Sequence, residues 1–184
     1  MKRITTERKF NWDEFFHDKG STWRDKDYRF LTSHFNPDIF KGELADVGCG
    51  LADGLRYLKN ICKNTTKFIG LDHSPTALES NTHFNPDMEF RLFNLDTPLN
   101  KQFDNIICLQ TLEHIDNPVQ ALVNLINATR KTLIISTPYK NKRPDIDHMW
   151  SFDENDFKEF MDSYIIGENG ANIYWRLDKS WMIN

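Results

Sequence analysis

Two acidic residues and two glycines stand where apolar runs of the sequence end. Asp46 lies near the end of one run, just before Gly48 and Gly50, and Asp72 ends the next run. Glycine lets a backbone approach a ligand closely, and a carboxylate accepts hydrogen bonds from both hydroxyls of a ribose. Because the carboxyl ends of parallel strands meet at one edge of a sheet, these residues are expected to converge. The pattern predicts a site for a nucleoside cofactor.

Polar residues continue this pattern after the third apolar run. Asn94 and Asp96 compete for a hydrogen bond to an adenine amino group, while a backbone N–H near Leu95 would read the ring. Asp96 is equally suited to a turn. His73 follows Asp72 and is expected to border the adenosine.

Two histidines could take a proton at the same edge of the sheet. His114 follows the fourth strand candidate and His148 follows the fifth. Imidazole titrates near neutral pH, so either residue could act as a general base. In a second interpretation, Glu113 joins both histidines to bind a divalent metal that holds acceptor hydroxyls. In a third, Glu113 and His114 form a structural turn that caps the helix after Pro118.

The residues of the glycine turn also distinguish between two kinds of nucleotide-binding site. A dinucleotide fold that binds pyrophosphate expects G-x-G-x-x-G, and this chain has Asp53 at the position of the last glycine. An acid at that position would repel a pyrophosphate, which disfavours NAD. Gly54 is expected to allow close packing of the helix that follows.

Alternating strand and helix candidates would position these residues. From residue 43 onward they predict a parallel sheet with right-handed crossovers. A last helix is predicted over Phe152–Asp162, followed by a hairpin of two strands with its loop at Gly167–Gly170. The earlier strand candidates are Glu43–Val47, Lys67–Leu71, Glu89–Phe93, Phe103–Leu109 and Thr132–Ser136, and the helix candidates between them are Asp53–Cys62, Pro75–Thr82 and Asn117–Thr129.

The first 40 residues predict two helices rich in aromatic residues, Trp12–Asp18 and Trp23–Phe35. Their rings either cover the cofactor or pack against the sheet edge, and packing is the favoured interpretation. The predicted organisation is a helical lid over residues 1–40 and one folding unit over residues 41–184.

Composition limits the classes of function. The 184 residues suffice for one domain, and the net charge of −4 gives no electrostatic footprint for a large nucleic acid. The basic strip Lys140–Arg143 is interpreted as a solvated loop in preference to a phosphate site. No apolar run is long enough to cross a bilayer, and the first residues lack the apolar core expected of a signal peptide. Three cysteines, predicted to be reduced core thiols, favour a cytoplasmic protein.

Four motifs in this order and spacing resemble a class I S-adenosylmethionine-dependent methyltransferase over residues 43–163. The resemblance implies a Rossmann-like α/β fold: a seven-stranded, mostly parallel sheet with helices on both faces and a C-terminal antiparallel hairpin. It also implies S-adenosyl-L-methionine as the cofactor. The motifs are Asp46-Val-Gly-Cys-Gly50, Gly70-Leu-Asp72, Asn94-Leu-Asp96 and Leu112-Glu-His-Ile-Asp-Asn-Pro118.

The resemblance completes the predicted site. Gln110 is expected beside the methionine end of the cofactor, and His114 and His148 beside the acceptor. The segment from Gln110 to His114 is similar to the Glu-x-x-Glu-His motif, with a distal histidine, of small-RNA 2′-O-methyltransferases, and to a motif of ubiquinone-pathway O-methyltransferases. Because Gln110 replaces the first glutamate, the prediction assigns no metal. The cofactor-binding residues are predicted to be Asp46, Gly48, Gly50, Asp72, His73, Asn94, Leu95 and Gln110.

The predicted activity is O-methylation of a small molecule, such as a sugar or a phosphorylated metabolite. Neither nucleic acid nor membrane is an expected partner, and the sequence predicts no oligomeric state. One alternative is a metal-assisted methyltransferase acting on the 2′-hydroxyl at an RNA 3′ end, which the acidic net charge disfavours. The other is a binding module that keeps the cofactor fold without catalysis.

Overall fold

The structure is a computed structural model that describes residues 1–4, 10–19, 25–140, 147–167 and 170–179, with the side chains of Asp18 and Lys19 left out. The strands are β1 (Lys2–Arg3), β2 (Gly42–Val47), β3 (Thr65–Asp72), β4 (Glu89–Leu92), β5 (Phe103–Leu109), β6 (Thr129–Pro138), β7 (Trp150–Ser151), β8 (Ser163–Ile166) and β9 (Asn172–Asp178). The α-helices are α1 (Trp12–Lys19), α2 (Asp25–His34), α3 (Asp53–Ile61), α4 (Pro75–Phe84) and α5 (Pro118–Ala128), and short 3-10 turns cover Pro37–Ile39 and Leu112–His114.

Seven strands form one sheet in the order β4-β3-β2-β5-β6-β9-β8. β2 runs parallel to β3 and β5, and β3 runs parallel to β4. β9 runs antiparallel to β6 and to β8, which confirms the predicted C-terminal hairpin. The α/β pattern with a mostly parallel sheet is therefore as the sequence predicts. Residues 168–169 of the predicted hairpin loop lie outside the described residues.

The helix starts follow their capping residues. Pro75 and Pro118 are the first residues of α4 and α5. An N–H at this position has no partner within the helix, so its absence in proline costs no helical hydrogen bond. The Ser74 hydroxyl accepts a hydrogen bond from the Ala77 N–H, and the Asn117 side chain caps α5. Helix α2 ends before Asn36-Pro37 as predicted, and its predicted first residues, 23 and 24, lie outside the described residues.

The helix predicted over Phe152–Asp162 is wrong. This segment forms successive turns. The Asp153 N–H donates to the Asp156 carboxylate at 2.7 Å, and the Asn155 N–H donates to the Asp153 carboxylate at 2.8 Å. These short polar side chains satisfy the backbone donors locally and so compete with helical hydrogen bonds. The apolar spacing of Phe152, Phe157 and Phe160 suggested a helix, but it did not reveal this competition.

The chain divides into two compact units. The first contains α1 to α4 and β2 to β4; in it, α1 contacts α4 and α2 contacts α3. The second contains α5, β6 and the C-terminal hairpin, and α5 contacts β6. The lid predicted over residues 1–40 stays a prediction. The first unit consists of Asn11–Asn94 and Phe103–Ile107, and the second consists of Met1–Phe10, Leu95–Gln102 and Cys108–Asn184.

All three cysteines are buried free thiols, as the sequence predicts. Burial raises the pKa of the Cys62 thiol to about 12, so this group stays protonated at neutral pH. Among the helices of the described residues, none has both the length and the apolar character needed to cross a membrane.

Candidate active site

The turn after β2 forms a backbone cradle in the first unit. Gly48 and Gly50 have positive φ angles of 80° and 51°, and Ala52 follows with a φ of 58°. The left-handed conformation is accessible to glycine without the steric cost that a side chain imposes. The N–H groups of Gly48 and Cys49 both donate to the carbonyl of Leu71, at 2.8 and 3.2 Å. This bond pair ties the cradle to the end of β3.

Asp72 holds the cradle through its carboxylate. One oxygen accepts a hydrogen bond from the Gly50 N–H at 2.8 Å, and the other accepts one from the Ser74 N–H at 3.0 Å. Asp72 is 6% exposed. Each carboxylate oxygen offers two lone pairs, so both retain capacity for a ribose hydroxyl. These acceptor oxygens therefore fit the hydroxyls of the ribose of S-adenosylmethionine. The neighbouring His73 is exposed, with its Nδ1 3.5 Å from the Asp72 carboxylate.

Asp46 has a partner that the sequence analysis missed. It is fully buried, and the Tyr28 hydroxyl donates to its carboxylate at 2.7 Å. Tyr28 belongs to α2, which lies so close to α3 that a side chain at Gly54 would overlap the tyrosine ring. The close packing predicted at Gly54 is thus confirmed, whereas the aromatic pattern of α2 did not distinguish Tyr28 from its neighbours.

Asn81 is a second residue that the sequence analysis missed. Its side-chain amide donates to the Gly50 carbonyl at 2.7 Å, so side chains hold both polar backbone groups of Gly50. Asn81 is 1% exposed and lies on the buried face of α4 with Ala77 and Leu78. A polar residue on an otherwise apolar helix face was the available signal.

Helix α1 is fixed to the start of α4 by an acid. The Asp13 carboxylate accepts hydrogen bonds from the Ser74 hydroxyl and from the Thr76 N–H. The bond from Ser74 holds the pKa of Asp13 below its usual value. Trp12 and Phe16 are buried, with their ring centroids 5.7 Å apart, so these aromatic residues of α1 do pack.

The predicted adenine contacts begin after β4. The Phe93 N–H donates to the Asp72 carbonyl at 2.8 Å, which brings the backbone before Asn94 against the end of β3. Asn94 is exposed, Leu95 is buried and Asp96 lies in a turn. The roles of Asn94 and Leu95 in binding adenine remain predictions.

Gln110 begins the candidate acceptor region, which lies in the second unit. It follows β5 directly with a φ of 50°. Its N–H donates to the Ser136 carbonyl at 2.9 Å, and its side-chain amide donates to the Ser136 hydroxyl at 3.0 Å. Such strained residues persist only where their surroundings fix them, and they concentrate at functional sites. The contact of Gln110 with a methionine carboxylate stays a prediction.

Three polar residues of the second unit lie close together in space. Ligand-type atoms of Glu113, His114 and His148 all lie within 4.8 Å of one another. The two imidazole centroids are 5.0 Å apart, and His114 Nε2 is 3.7 Å from a carboxylate oxygen of Glu113. Glu113 and His114 are buried. The expected approach of the two histidines is therefore confirmed, and their catalytic role stays a prediction.

The protonation of His114 follows from its hydrogen bond. Its Nδ1 lies 2.9 Å from the carbonyl oxygen of Asp147, and a carbonyl only accepts. Nδ1 therefore carries a proton, and in the neutral ring the lone pair is on Nε2. The Asp147 carboxylate is also near, 3.6 Å from Nδ1.

The structural interpretation of Glu113 and His114 as a helix cap is wrong. Helix α5 is capped by Asn117, whose side chain accepts from the Gln120 N–H at 3.1 Å. The backbone carbonyl of Glu113 instead accepts from the Met149 N–H at 2.8 Å. That bond connects the 3-10 turn to the segment that carries His148.

The described part of the basic strip is already paired. Lys140 forms an ion pair with Glu154 at 3.0 Å, and the Tyr139 hydroxyl donates to the same carboxylate at 2.7 Å. The backbone N–H of Glu154 and these two side chains lower the pKa of Glu154 to about 2. Residues 141–143 of the strip lie outside the described residues.

Comparison with known proteins finds similarity to methyltransferases. Residues 45–132 match a family model described as a methyltransferase domain. The ubiquinone biosynthesis O-methyltransferase of Rickettsia canadensis is 29% identical over 120 residues, which cover 61% of this chain and 49% of that protein. The chain thus spans about half the length of the curated relatives that it matches.

Solved structures share the fold at low sequence identity. A chain in the complex between the Haloferax volcanii Trm112 methyltransferase activator and a methyltransferase superposes with a TM-score of 0.73 at 13% identity, covering 95% of this chain and 99% of that one. Magnesium protoporphyrin IX methyltransferase of Synechocystis with bound S-adenosylhomocysteine gives 0.67 at 15% identity, covering 92% and 93%. At this identity the likeness establishes the fold. Together, this shared fold and the match of residues 45–132 to the methyltransferase-domain model support a class I S-adenosylmethionine-dependent methyltransferase.

Proposed function

We propose that this chain transfers the methyl group of S-adenosylmethionine to a hydroxyl oxygen of a small molecule, such as a sugar or a phosphorylated metabolite. The observation that carries the proposal is the meeting of His114 and His148, whose ring centroids lie 5.0 Å apart beside the carboxylate of Glu113. A hydroxyl must lose its proton during methylation, whereas many other acceptors need no base.

In this proposal, the predicted cofactor-binding residues bind and orient the donor. Asp72 accepts hydrogen bonds from the ribose hydroxyls while its bonds to Gly50 and Ser74 hold the carboxylate in place. Asn94 and Leu95 contact the adenine, and Gln110 contacts the methionine end. When bound, S-adenosylmethionine supplies a methyl group on a positively charged sulfur and leaves as S-adenosylhomocysteine. Alignment of the acceptor oxygen with that methyl group supplies about 7–11 kcal/mol of the rate enhancement.

The histidines move the proton. His148 is half-buried and His114 is buried, so His148 is the more accessible of the two to an acceptor. We assign His148 as the general base that takes the acceptor proton and His114 as the residue that packs beside it. Glu113 is fully buried and stabilises the positive charge that His148 gains, because ligand-type atoms of Glu113, His114 and His148 lie within 4.8 Å of one another.

The relatives support oxygen as the acceptor atom. The curated relatives, including the protein from Rickettsia canadensis, are named O-methyltransferases of ubiquinone biosynthesis. Ubiquinone precursors with a free hydroxyl are therefore a further class of acceptor to examine. The matched part covers about half of those relatives, so acceptor selection can differ.

A metal-assisted reaction is the second candidate, favoured by the grouping of Glu113, His114 and His148. Two imidazole nitrogens and one carboxylate suit Mn²⁺ or Zn²⁺ better than Mg²⁺, which prefers oxygen ligands. Three protein ligands would leave positions open for acceptor hydroxyls, and the ion would lower their pKa. The set fits an ion even though Gln110 replaces a charged ligand.

A methylation screen with labelled S-adenosylmethionine tests these candidates. The acceptors are nucleotide sugars, phosphorylated metabolites, ubiquinone precursors and short RNAs, each with a chelator or with added Mn²⁺. Methyl transfer to the hydroxyl of a small molecule that continues in the presence of the chelator supports the general-base mechanism. Transfer that stops with the chelator and returns with Mn²⁺ supports the metal-assisted mechanism. Transfer only to RNA 3′ ends would overturn the small-molecule proposal. Binding of S-adenosylhomocysteine without transfer to any acceptor would favour the non-catalytic module.

A further inference from the structure

The first residues of the chain pair with the segment that carries His148. In β1 and β7, Lys2 lies opposite Ser151 and Arg3 lies opposite Trp150 in an antiparallel register. The Ile4 N–H donates to the Met149 carbonyl at 2.8 Å. The Arg3 guanidinium also lies 5.4 Å from the centre of the Trp150 ring, within cation–π distance.

The other side of the same segment is bonded to the turn that contains His114. The Met149 N–H donates to the Glu113 carbonyl at 2.8 Å, and the Trp150 indole N–H donates to the Ile115 carbonyl at 2.8 Å. Met149 thus uses its carbonyl towards Ile4 and its N–H towards Glu113. It is the middle residue of a three-segment ladder, and it is 1% exposed.

We propose that residues 2–4 form a positioning strap for the acceptor site, which holds His148 beside Glu113 and His114. The inference rests on the proposed function for its catalytic consequence, but its structural claim stands on the ladder alone. Lys2 and Arg3 are exposed, so the strap adds little buried apolar surface to the fold. The backbone pairing that the structure describes for the strap is with residues 149–151. Its main effect is therefore on the position of the residue next to them, His148.

The sequence did not indicate this role, and the sequence analysis predicted that residues 1–40 form a lid. Within the second unit, Met1–Phe10 cluster with the C-terminal part of the chain. The strap and His148 are more than 140 residues apart, and a two-residue strand of charged side chains has no recognisable pattern. None of the strap residues contacts a reacting group in this proposal, so they are positioning residues.

A pair of substitutions at Ile4 isolates the backbone bond. Ile4→Pro and Ile4→Ala both remove the isoleucine side chain, but only proline removes the N–H that bonds to Met149. In Ile4→Pro we expect the Met149 amide to exchange with solvent about fivefold to tenfold faster and the His148 ring resonances to shift. In Ile4→Ala both should stay near wild type. The amide of Ile134 and the ring of His34 serve as internal references, since neither belongs to the ladder.

Turnover then separates this inference from the proposed function. If the strap positions His148, Ile4→Pro should lower kcat by up to about 100-fold, the effect of a misplacement near 1 Å, while S-adenosylhomocysteine affinity stays within about twofold. Shifted His148 resonances with unchanged kcat would support the strap and contradict His148 as the base. Unchanged exchange at Met149 and unchanged His148 resonances would overturn the strap. If Ile4→Pro fails to fold, Arg3→Ala replaces it as the test variant. Arg3→Ala keeps every backbone bond but loses the contact with Trp150, so it should shift the His148 resonances less than a lost backbone bond would. Unchanged His148 resonances in Arg3→Ala would also overturn the inference.

Discussion

His114 Nδ1 donates a hydrogen bond of 2.9 Å to the backbone carbonyl of Asp147, 33 residues further along the chain. The bond fixes the tautomer of His114, so the lone pair of the neutral ring is on Nε2, and the ring belongs to the cluster with Glu113 and His148. The acceptor of this bond is a backbone atom, so the bond itself depends on the path of the chain, while the Asp147 side chain adds a carboxylate 3.6 Å from Nδ1.

Replacement of His148 should affect chemistry and not cofactor binding. In His148→Ala we expect kcat to fall about 100-fold to 10,000-fold, the usual contribution of a general base. The measurement is turnover with labelled S-adenosylmethionine, alongside calorimetry with S-adenosylhomocysteine. His34→Ala, at an exposed position, is the matched control. Wild-type turnover in His148→Ala would rule out an essential role for this residue.

Replacement of Asp72 should abolish tight cofactor binding. Asp72→Ala removes the ribose acceptor and both hydrogen bonds that fix the turn at Gly50 and Ser74. Loss of the two charge-assisted hydrogen bonds from the ribose hydroxyls should lower the affinity for S-adenosylhomocysteine by at least about 100-fold. Calorimetry measures this, with Asp87→Ala as the control, since Asp87 is exposed and pairs only with Lys59 among the contacts described. Equal affinity in both variants would remove the ribose assignment.

The packing of α2 on α3 should show coupling between Gly54 and Tyr28. A methyl group at Gly54 would overlap the Tyr28 ring, so Gly54→Ala should destabilise the fold by about 1–3 kcal/mol. Tyr28→Phe keeps the ring but removes the donor to buried Asp46, which costs about 1–3 kcal/mol. Urea unfolding of both variants gives these values.

The double variants identify the cause. Tyr28→Ala opens space for the new methyl group, so its combination with Gly54→Ala should be less destabilising than the sum of the single changes. The combination of Tyr28→Phe with Gly54→Ala should be close to additive, because the ring remains. Additivity in both cases would contradict the overlap as the source of the effect.

Glu154 should titrate far below an ordinary glutamate. Its own backbone N–H, the Tyr139 hydroxyl and Lys140 lower its pKa from 4.5 to about 2. Because the folded-state pKa is depressed, the stabilisation is complete above about pH 4.5 and is lost as the pH falls towards 2. Carboxyl chemical shifts in NMR give the midpoint. Tyr139→Phe should move that midpoint upward, and a midpoint near 4.5 in the wild type would contradict the assigned contacts.

Much of the sheet could be predicted because its signals are local. Apolar runs ending in Asp46 and Asp72 mark buried parallel strands, and Pro75 and Pro118 mark helix starts. The wrong helix over residues 152–162 shows where local reasoning ends. There, Asp153 and Asp156 bond to nearby N–H groups, and this competition depends on side-chain geometry that spacing does not encode.

The sequence by itself indicated the class of donor. The glycine turn and the two acids predict a nucleoside cofactor, Asp53 disfavours NAD, and the family resemblance implies S-adenosyl-L-methionine. Only the tertiary structure decided which side chains support that pattern. Tyr28 reaches Asp46 across 18 residues, and Asn81 reaches Gly50 across 31. Residues 2–4, 113–115 and 149–151 meet in one ladder. Hydrogen bonds between such distant segments leave no periodicity in the sequence, since each forms only after the chain has folded.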